Sequence, residues 1–201
     1  KSNRYLFLDT ETNGLPKRGA ESWYNWQRWP RVLQVGWVIT DDAGNVIQSE
    51  KRNLRLDQRE PFNYFSYKVH GITEEETRGH GDDPKKVLGD LSSALMGIDY
   101  IVAHNIWFDI NIMSAEYAFN KIQNPLLWPH KICTVNLTRG VIERNKKTIG
   151  LNRLHQFLFS RPIEMAHDAL SDATALKDCY FELRARGIVS VPDGNIEALV
   201  S

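Results

Sequence analysis

Asp9 and Glu11 stand two residues apart at the end of the first apolar run, Tyr5-Leu6-Phe7-Leu8. Side chains alternate across a strand, so both carboxylates point to one face, together with Tyr5 and Phe7. Like charges held this close repel, and the pair needs a proton or a cation. Nothing basic lies nearby in sequence, which favours a metal, although an Asp and a Glu that merely end a strand at solvent would leave the same pattern. Two later stretches bear on the choice. In His104-Asn105-Ile106-Trp107-Phe108-Asp109, Asp109 falls inside the helical stripe formed by Ile106, Ile110, Met113 and Tyr117. In Ala166-His167-Asp168-Ala169-Leu170-Ser171-Asp172-Ala173, Asp172 falls inside the stripe Ala169, Ala173, Leu176, Tyr180 and Leu183. A carboxylate on the buried face of a helix is costly without a partner.

Four oxygen-donor carboxylates, with no Cys cluster and no paired histidines, suit Mg²⁺ or Mn²⁺ rather than zinc. Two divalent ions would match their charge, set ~3.5 to 4 Å apart if they act as a phosphoryl-transfer pair. His167 is expected just outside its helix with a mobile ring, where an imidazole of ordinary pKa ~6.5 can take a proton from water near neutral pH.

These residues need a strand and two helices to hold them. Residues 4 to 9 read as a buried strand, followed by a turn at Thr12-Asn13-Gly14-Leu15-Pro16. From Lys17 to Pro30 the chain leaves any regular pattern, and three of the six tryptophans, Trp23, Trp26 and Trp29, fall within it beside Tyr24, Arg18 and Arg28. These aromatics either pack the excursion onto the domain or form a flap on which bases stack. Residues 32 to 40 and 46 to 56 read as a hairpin around Asp41-Asp42-Ala43-Gly44-Asn45. Thr73 and Glu76 have capping-box spacing. Pro84 opens a helix over 84–97, and 99–103 is a short strand that runs into Asn105, the expected N-cap of the Asp109 helix. A strand near 131–134, a helix to about Arg144, the basic loop Arg144-Asn145-Lys146-Lys147 and a helix over 150–159 follow. Asp168 caps the last helix, which ends at Gly187. The tail from Ile188 to Ser201 reads as irregular or loosely packed.

Composition narrows the setting. At 201 residues, with 42% hydrophobic and 25% charged residues, the chain reads as one globular domain over 1–187 plus a tail. Lysine plus arginine equals aspartate plus glutamate at 25 each, so no general field draws nucleic acid in and any phosphate is held locally. Cys133 and Cys179 lack metal-ligand spacing, and no apolar run approaches membrane-spanning length. The expected setting is therefore cytoplasmic and reducing. A first residue of Lys rather than Met fits a segment of a longer chain.

Asp9-Thr10-Glu11-Thr12, His104-Asn105 to Phe108-Asp109, and His167-Asp168-Ala169 to Asp172-Ala173 together resemble the three motifs of the DnaQ-like DEDDh 3′ to 5′ exonucleases, over about residues 4 to 187. The resemblance implies a ribonuclease H-like α/β fold, with a central mixed five-stranded sheet flanked by helices. It implies that Asp9 bridges two Mg²⁺ or Mn²⁺ ions, that Glu11 and Asp172 bind the ion holding the attacking water, that Asp109 supports the second ion, and that His167 is the general base. Nucleoside 5′-monophosphates would leave a free 3′ end of nucleic acid, with Thr10, Thr12, Gly14, Leu15, His70, Asn105 and Phe108 toward the substrate. Single-stranded DNA is the favoured substrate. An RNA exonuclease, or a nucleic-acid-binding or scaffold module with an inactive site, is the rival reading. A larger polypeptide or a polymerase or end-processing complex is the expected partner, and no membrane is expected.

Overall fold

In a computed structural model of the chain, which describes residues 2–140 and 148–190, the apolar run at 5–8 lies in the central strand of a five-stranded sheet. Strand β1 (Tyr5–Thr12) pairs antiparallel with β2 (Val32–Thr40) and parallel with β4 (Tyr100–Ala103); β3 (Val46–Asn53) and β5 (His130–Cys133) form the edges, in the order β3-β2-β1-β4-β5. The mixed five-stranded sheet flanked by helices is thus present. Seven α-helices accompany it among the described residues: α1 (Tyr64–His70), α2 (Glu74–Arg78), α3 (Pro84–Ala94), α4 (Ile106–Phe119), α5 (Thr134–Leu137), α6 (Leu151–Phe159) and α7 (Ala169–Ala185).

A strand covered on both faces loses the polar alternation of a surface strand, and β1 shows why its sequence reads as a continuous apolar run. Leu6 and Leu8 pack with Val87, Leu88 and Leu91 of α3 and with Met113 and Tyr117 of α4. Tyr5 and Phe7 pack on the other face with Ala173, Leu176 and Tyr180 of α7. Asp9 and Glu11 continue the Tyr5 and Phe7 row, so the side alternation delivers them toward α7.

Several boundaries differ from expectation. β1 extends to Thr12, so Glu11 lies inside the ladder opposite Gln34 rather than beyond it. β3 stops at Asn53, after which Leu54 makes an isolated bridge with Asp82. Helix α3 ends at Ala94, with Asp83 capping and Pro84 in its first turn. The helix expected to run to Arg144 is the four-residue α5; residues 138–140 form a turn that ends at Gly140, with φ +72°. The basic loop Arg144 to Lys147 and residues 191–201 of the tail lie outside the described residues. Ile188 and Val189 pack against α6 and α7 rather than lying loose. No helix among the described residues is long and apolar enough to cross a membrane.

The aromatic excursion is packed down. Its 3₁₀ segment Trp23–Arg28 lies on α4, where Trp26 meets Phe119 edge-on and the backbone N–H of Trp23 donates to Asn111 Oδ1 at 2.8 Å. Trp29 is buried against Trp107 and Phe108. Tyr24 alone of these aromatics projects strongly into solvent. Packing area, the usual use of tryptophan, accounts for most of the cluster.

Candidate active site

The approach of α7 to β1 depends on two residues of β2 that face it. Gly36 stands opposite Asp9 in the ladder, and a Cβ there would lie 2.4 Å from the backbone of Ala169. Only glycine lets the first turn of α7 rest on β2 at this distance. Gln34, buried and opposite Glu11, accepts the Ala169 N–H through Oε1 at 2.8 Å and donates through Nε2 to Asn53 Oδ1 at 2.8 Å. Asp168 caps α7 by accepting the Ser171 N–H at 3.0 Å, and its other oxygen holds Lys51 Nζ at 2.6 Å. The N-terminal turn of α7 is therefore fastened from β2 and β3.

That fastening sets His167 and Asp172. His167 has a left-handed backbone, φ +68°, and its N–H donates to Asp172 Oδ2 at 2.9 Å. Its ring is left exposed, while Asp172 is buried. Glu11, His167 and Asp172 each bring one potential ligand atom into a group whose members all lie within 4.8 Å of one another.

Asp109 arrives from the opposite helical layer. It lies in the first turn of α4, buried, and Thr10 Oγ1 donates to its Oδ1 at 2.9 Å. Thr10 points to the α4 face of β1, so its hydroxyl orients the Asp109 carboxylate. Asn105 sits at the N-cap position of α4 but makes no side-chain cap bond; its backbone is left-handed, φ +72°, a conformation asparagine tolerates. Its side chain is exposed as a result. His104, beside it, is fixed by Thr134 Oγ1 at 2.9 Å and the Ile149 carbonyl at 2.8 Å, and is structural.

Burial raises all four carboxylates, and mutual repulsion adds to it at Asp9 and Glu11. Burial and then Asp109, Asp172 and Glu11 push Asp9 well above the usual carboxylate range. Burial, with Asp172 and Asp109, lifts Glu11 to about 8. Burial lifts Asp109 to about 7 against the opposing bond from Thr10. Asp172 is raised by burial too, although the His167 N–H opposes it. Asp172 Oδ1 is buried without a hydrogen-bond partner among the described residues. A buried orphan oxygen beside three raised carboxylates is the electrostatic shape of a hard-cation site, and the all-oxygen donor set fits Mg²⁺ or Mn²⁺.

The sign of these shifts makes a prediction. A carboxyl whose folded pKa exceeds its unfolded value binds more protons when folded, so its stabilising contribution is complete below the unfolded pKa and is lost as pH rises through the folded one. For Glu11 that interval runs from the ordinary 4.5 to about 8. His70 and His104, held by burial below their ordinary 6.5, act oppositely only below that pH. Metal-free protein should therefore lose thermal stability from pH 6.5 to 8, and Mg²⁺ should flatten the slope. Melting midpoints in EDTA that rise or stay level over this window would contradict the assignment.

Of the residues expected near substrate, Thr12 is buried and donates to the Gly14 carbonyl at 2.8 Å, which shapes the turn. Gly14 has φ +126°, and a Cβ there would meet Asn63 Nδ2 at 3.0 Å. Leu15 projects into solvent, Phe108 is half-buried, and His70 ends α1 with Nδ1 accepting the Ile72 N–H at 3.0 Å. Gln34, Gly36 and Lys51 were not anticipated. A lone glutamine within the apolar run 32–40 was the one signal for them.

The chain matches the family model described as RNase_T, exonuclease, over residues 6–180. It is 28% identical over 186 residues to DNA polymerase III subunit epsilon of Haemophilus influenzae, covering 89% of this chain and 66% of that one. It is 28% identical over 171 residues to the PolC-type DNA polymerase III of Streptococcus agalactiae, covering 85% of this chain and 10% of that one. The chain thus spans less than two thirds of these relatives. Among solved structures, E. coli exonuclease I in complex with a dT13 oligonucleotide superposes with a TM-score of 0.75 at 20% identity, over 92% of this chain and 41% of that one. The complex of the same enzyme with a dA16 oligonucleotide gives 0.73 at 20% identity, with the same 92% and 41% coverage.

Proposed function

Because this chain belongs to the RNase_T family of exonucleases, we propose that it is a metal-dependent 3′ to 5′ exonuclease, releasing nucleoside 5′-monophosphates from a free 3′ end, with single-stranded DNA favoured. The observation that carries this reading is the convergence of carboxylates from β1, α4 and α7 around the unpartnered oxygen of Asp172, beside the exposed ring of His167. Asp9, Glu11, Asp109 and Asp172 would hold two Mg²⁺ or Mn²⁺ ions, which when bound supply Lewis-acid stabilisation of the charge developing on the phosphate.

The chain's own residues do the rest. Thr10 keeps the Asp109 carboxylate aimed from α4. The His167 N–H bond to Asp172 fixes the backbone while the ring stays mobile at the rim, where it accepts the proton of the attacking water as general base. Asp168 stays outside this chemistry: burial tends to raise it, but Lys51 and the Ser171 N–H outweigh burial and hold it below the usual carboxylate range. The DNA preference takes its support from relatives that carry DNA polymerase III in their names, and the corresponding assembly is with a polymerase.

Matched DNA and RNA oligonucleotides labelled at the 5′ end test this in Mg²⁺, Mn²⁺ and EDTA. The expected result is a ladder shortening one nucleotide at a time only with metal, faster on DNA. Faster shortening of RNA reassigns the sugar, and intact oligonucleotides in every condition reject the enzymatic reading.

A further inference from the structure

Helix α1 has no buried residue. It presents Phe65 at 82% exposure and Tyr64 at 65%, next to Leu15 at 82% on the turn after β1. Single exposed apolar residues are ordinary; three large ones around one groove ask for an occupant. The groove is about 680 Å³, lying between the packed excursion and α1, with Lys17, Trp26 and Phe119 also on its walls.

The groove begins where β1 leaves the carboxylate cluster, with Asn13 on its wall. Asn13, two residues after Glu11, donates through Nδ2 to the Pro61 carbonyl at 2.7 Å and accepts the Asn63 N–H at 2.8 Å. Asn63 in turn caps α1 by accepting the N–H groups of Phe65 and Ser66. The close approach of Gly14 to Asn63 completes the link. Seven residues of helix span about 10 Å, the length of about three stacked nucleotides at 3.4 Å each.

We propose that Phe65 and Tyr64 form a stacking platform for unpaired bases one to three nucleotides upstream of the 3′ end bound at the carboxylates. This rests on the exonuclease reading above. Aromatic faces accept any base, so the platform selects single strands without selecting sequence. Its cations suit a phosphate backbone: Lys17 and Lys68 are exposed, with Lys68 Nζ 5.9 Å from the centre of the Phe65 ring. Arg31 on the groove wall is bonded to Glu116, and its Nη1, 3.9 Å from Glu60, has no hydrogen-bond partner among the described residues. A protein ligand would use the aromatics but would not need this alignment with the site.

Phe65→Ala combined with Tyr64→Ala removes the platform from an exposed surface and leaves the Asn63 cap in place. Steady-state kinetics should be measured on a single-stranded DNA oligonucleotide and on one with abasic sugars at the three positions before the 3′-terminal nucleotide. For the parent protein, the abasic substitution should raise KM about 5- to 150-fold for each stacked base lost. In the double variant KM on the ordinary oligonucleotide should rise to match, and the abasic substitution should add nothing. An unchanged KM in the variant, from a parent that cleaves, overturns the platform and leaves the patch to a protein partner. A parent that cleaves neither substrate removes the exonuclease reading and the platform with it.

Discussion

Asp9→Ala should abolish cleavage and leave the metal-free protein at least as stable as its parent. Asp9 is the carboxylate on which the others bear: burial first, then Asp109, Asp172 and Glu11, all act to raise it. In the proposed enzyme that repulsion is offset by cations, and without Asp9 they lose the ligand expected to join them. A metal contributes several kcal/mol to the transition state, and at about 1.4 kcal/mol per decade the loss is about 10³-fold or more in turnover. Stability moves the other way, because the metal-free fold no longer confines a fourth carboxylate. Asp9→Asn keeps the side-chain volume and separates charge from packing. Turnover on labelled oligonucleotides, with thermal midpoints in EDTA and in Mg²⁺, reads both effects; an active Asp9→Ala protein would falsify the metal assignment.

His167→Ala should lower kcat by about 10² to 10⁴-fold, the range for a lost general base. The ring is exposed, and the contact that ties this residue to Asp172 is made by its backbone. The variant should therefore fold normally, keep most of the Mg²⁺-induced rise in thermal midpoint, and regain part of its rate on addition of free imidazole. The neighbouring group Glu11, His167 and Asp172 also permits the imidazole to act as a ligand. In that case the metal-induced rise would vanish along with activity, and the general-base role would fall.

How far the sequence was legible follows from where the packing lies. Helices α3, α4 and α7 bury their stripes in the two main layers, and the 3.6-residue period of their apolar residues reported them directly. Helix α1 buries nothing, so periodicity had no signal to give; only its ends spoke, through the Asn63 cap and Gly71 at φ +72°. Asp9, Glu11, Asp109 and Asp172 stood out because each is a carboxylate where an apolar or strand pattern leaves no natural place for one. The supports around them were hidden for the opposite reason. Gln34 meets Ala169, and Thr10 meets Asp109, across 135 and 99 residues of chain. Such pairings depend on which strand lies beside which, and no local spacing encodes that. Asn105 was placed at the right position with the wrong cause, since a left-handed backbone and a side-chain cap both favour asparagine.

Helix α7 has a further consequence during synthesis. Asp9 leaves the ribosome first and Asp172 follows roughly 160 residues later, a delay of about 10 to 30 s at ordinary rates of translation. Until α7 settles over Gly36, neither Asp172 nor His167 is held against Glu11. A nascent chain bearing the first two motifs thus lacks the Asp172 and His167 side of the candidate site until α7 docks.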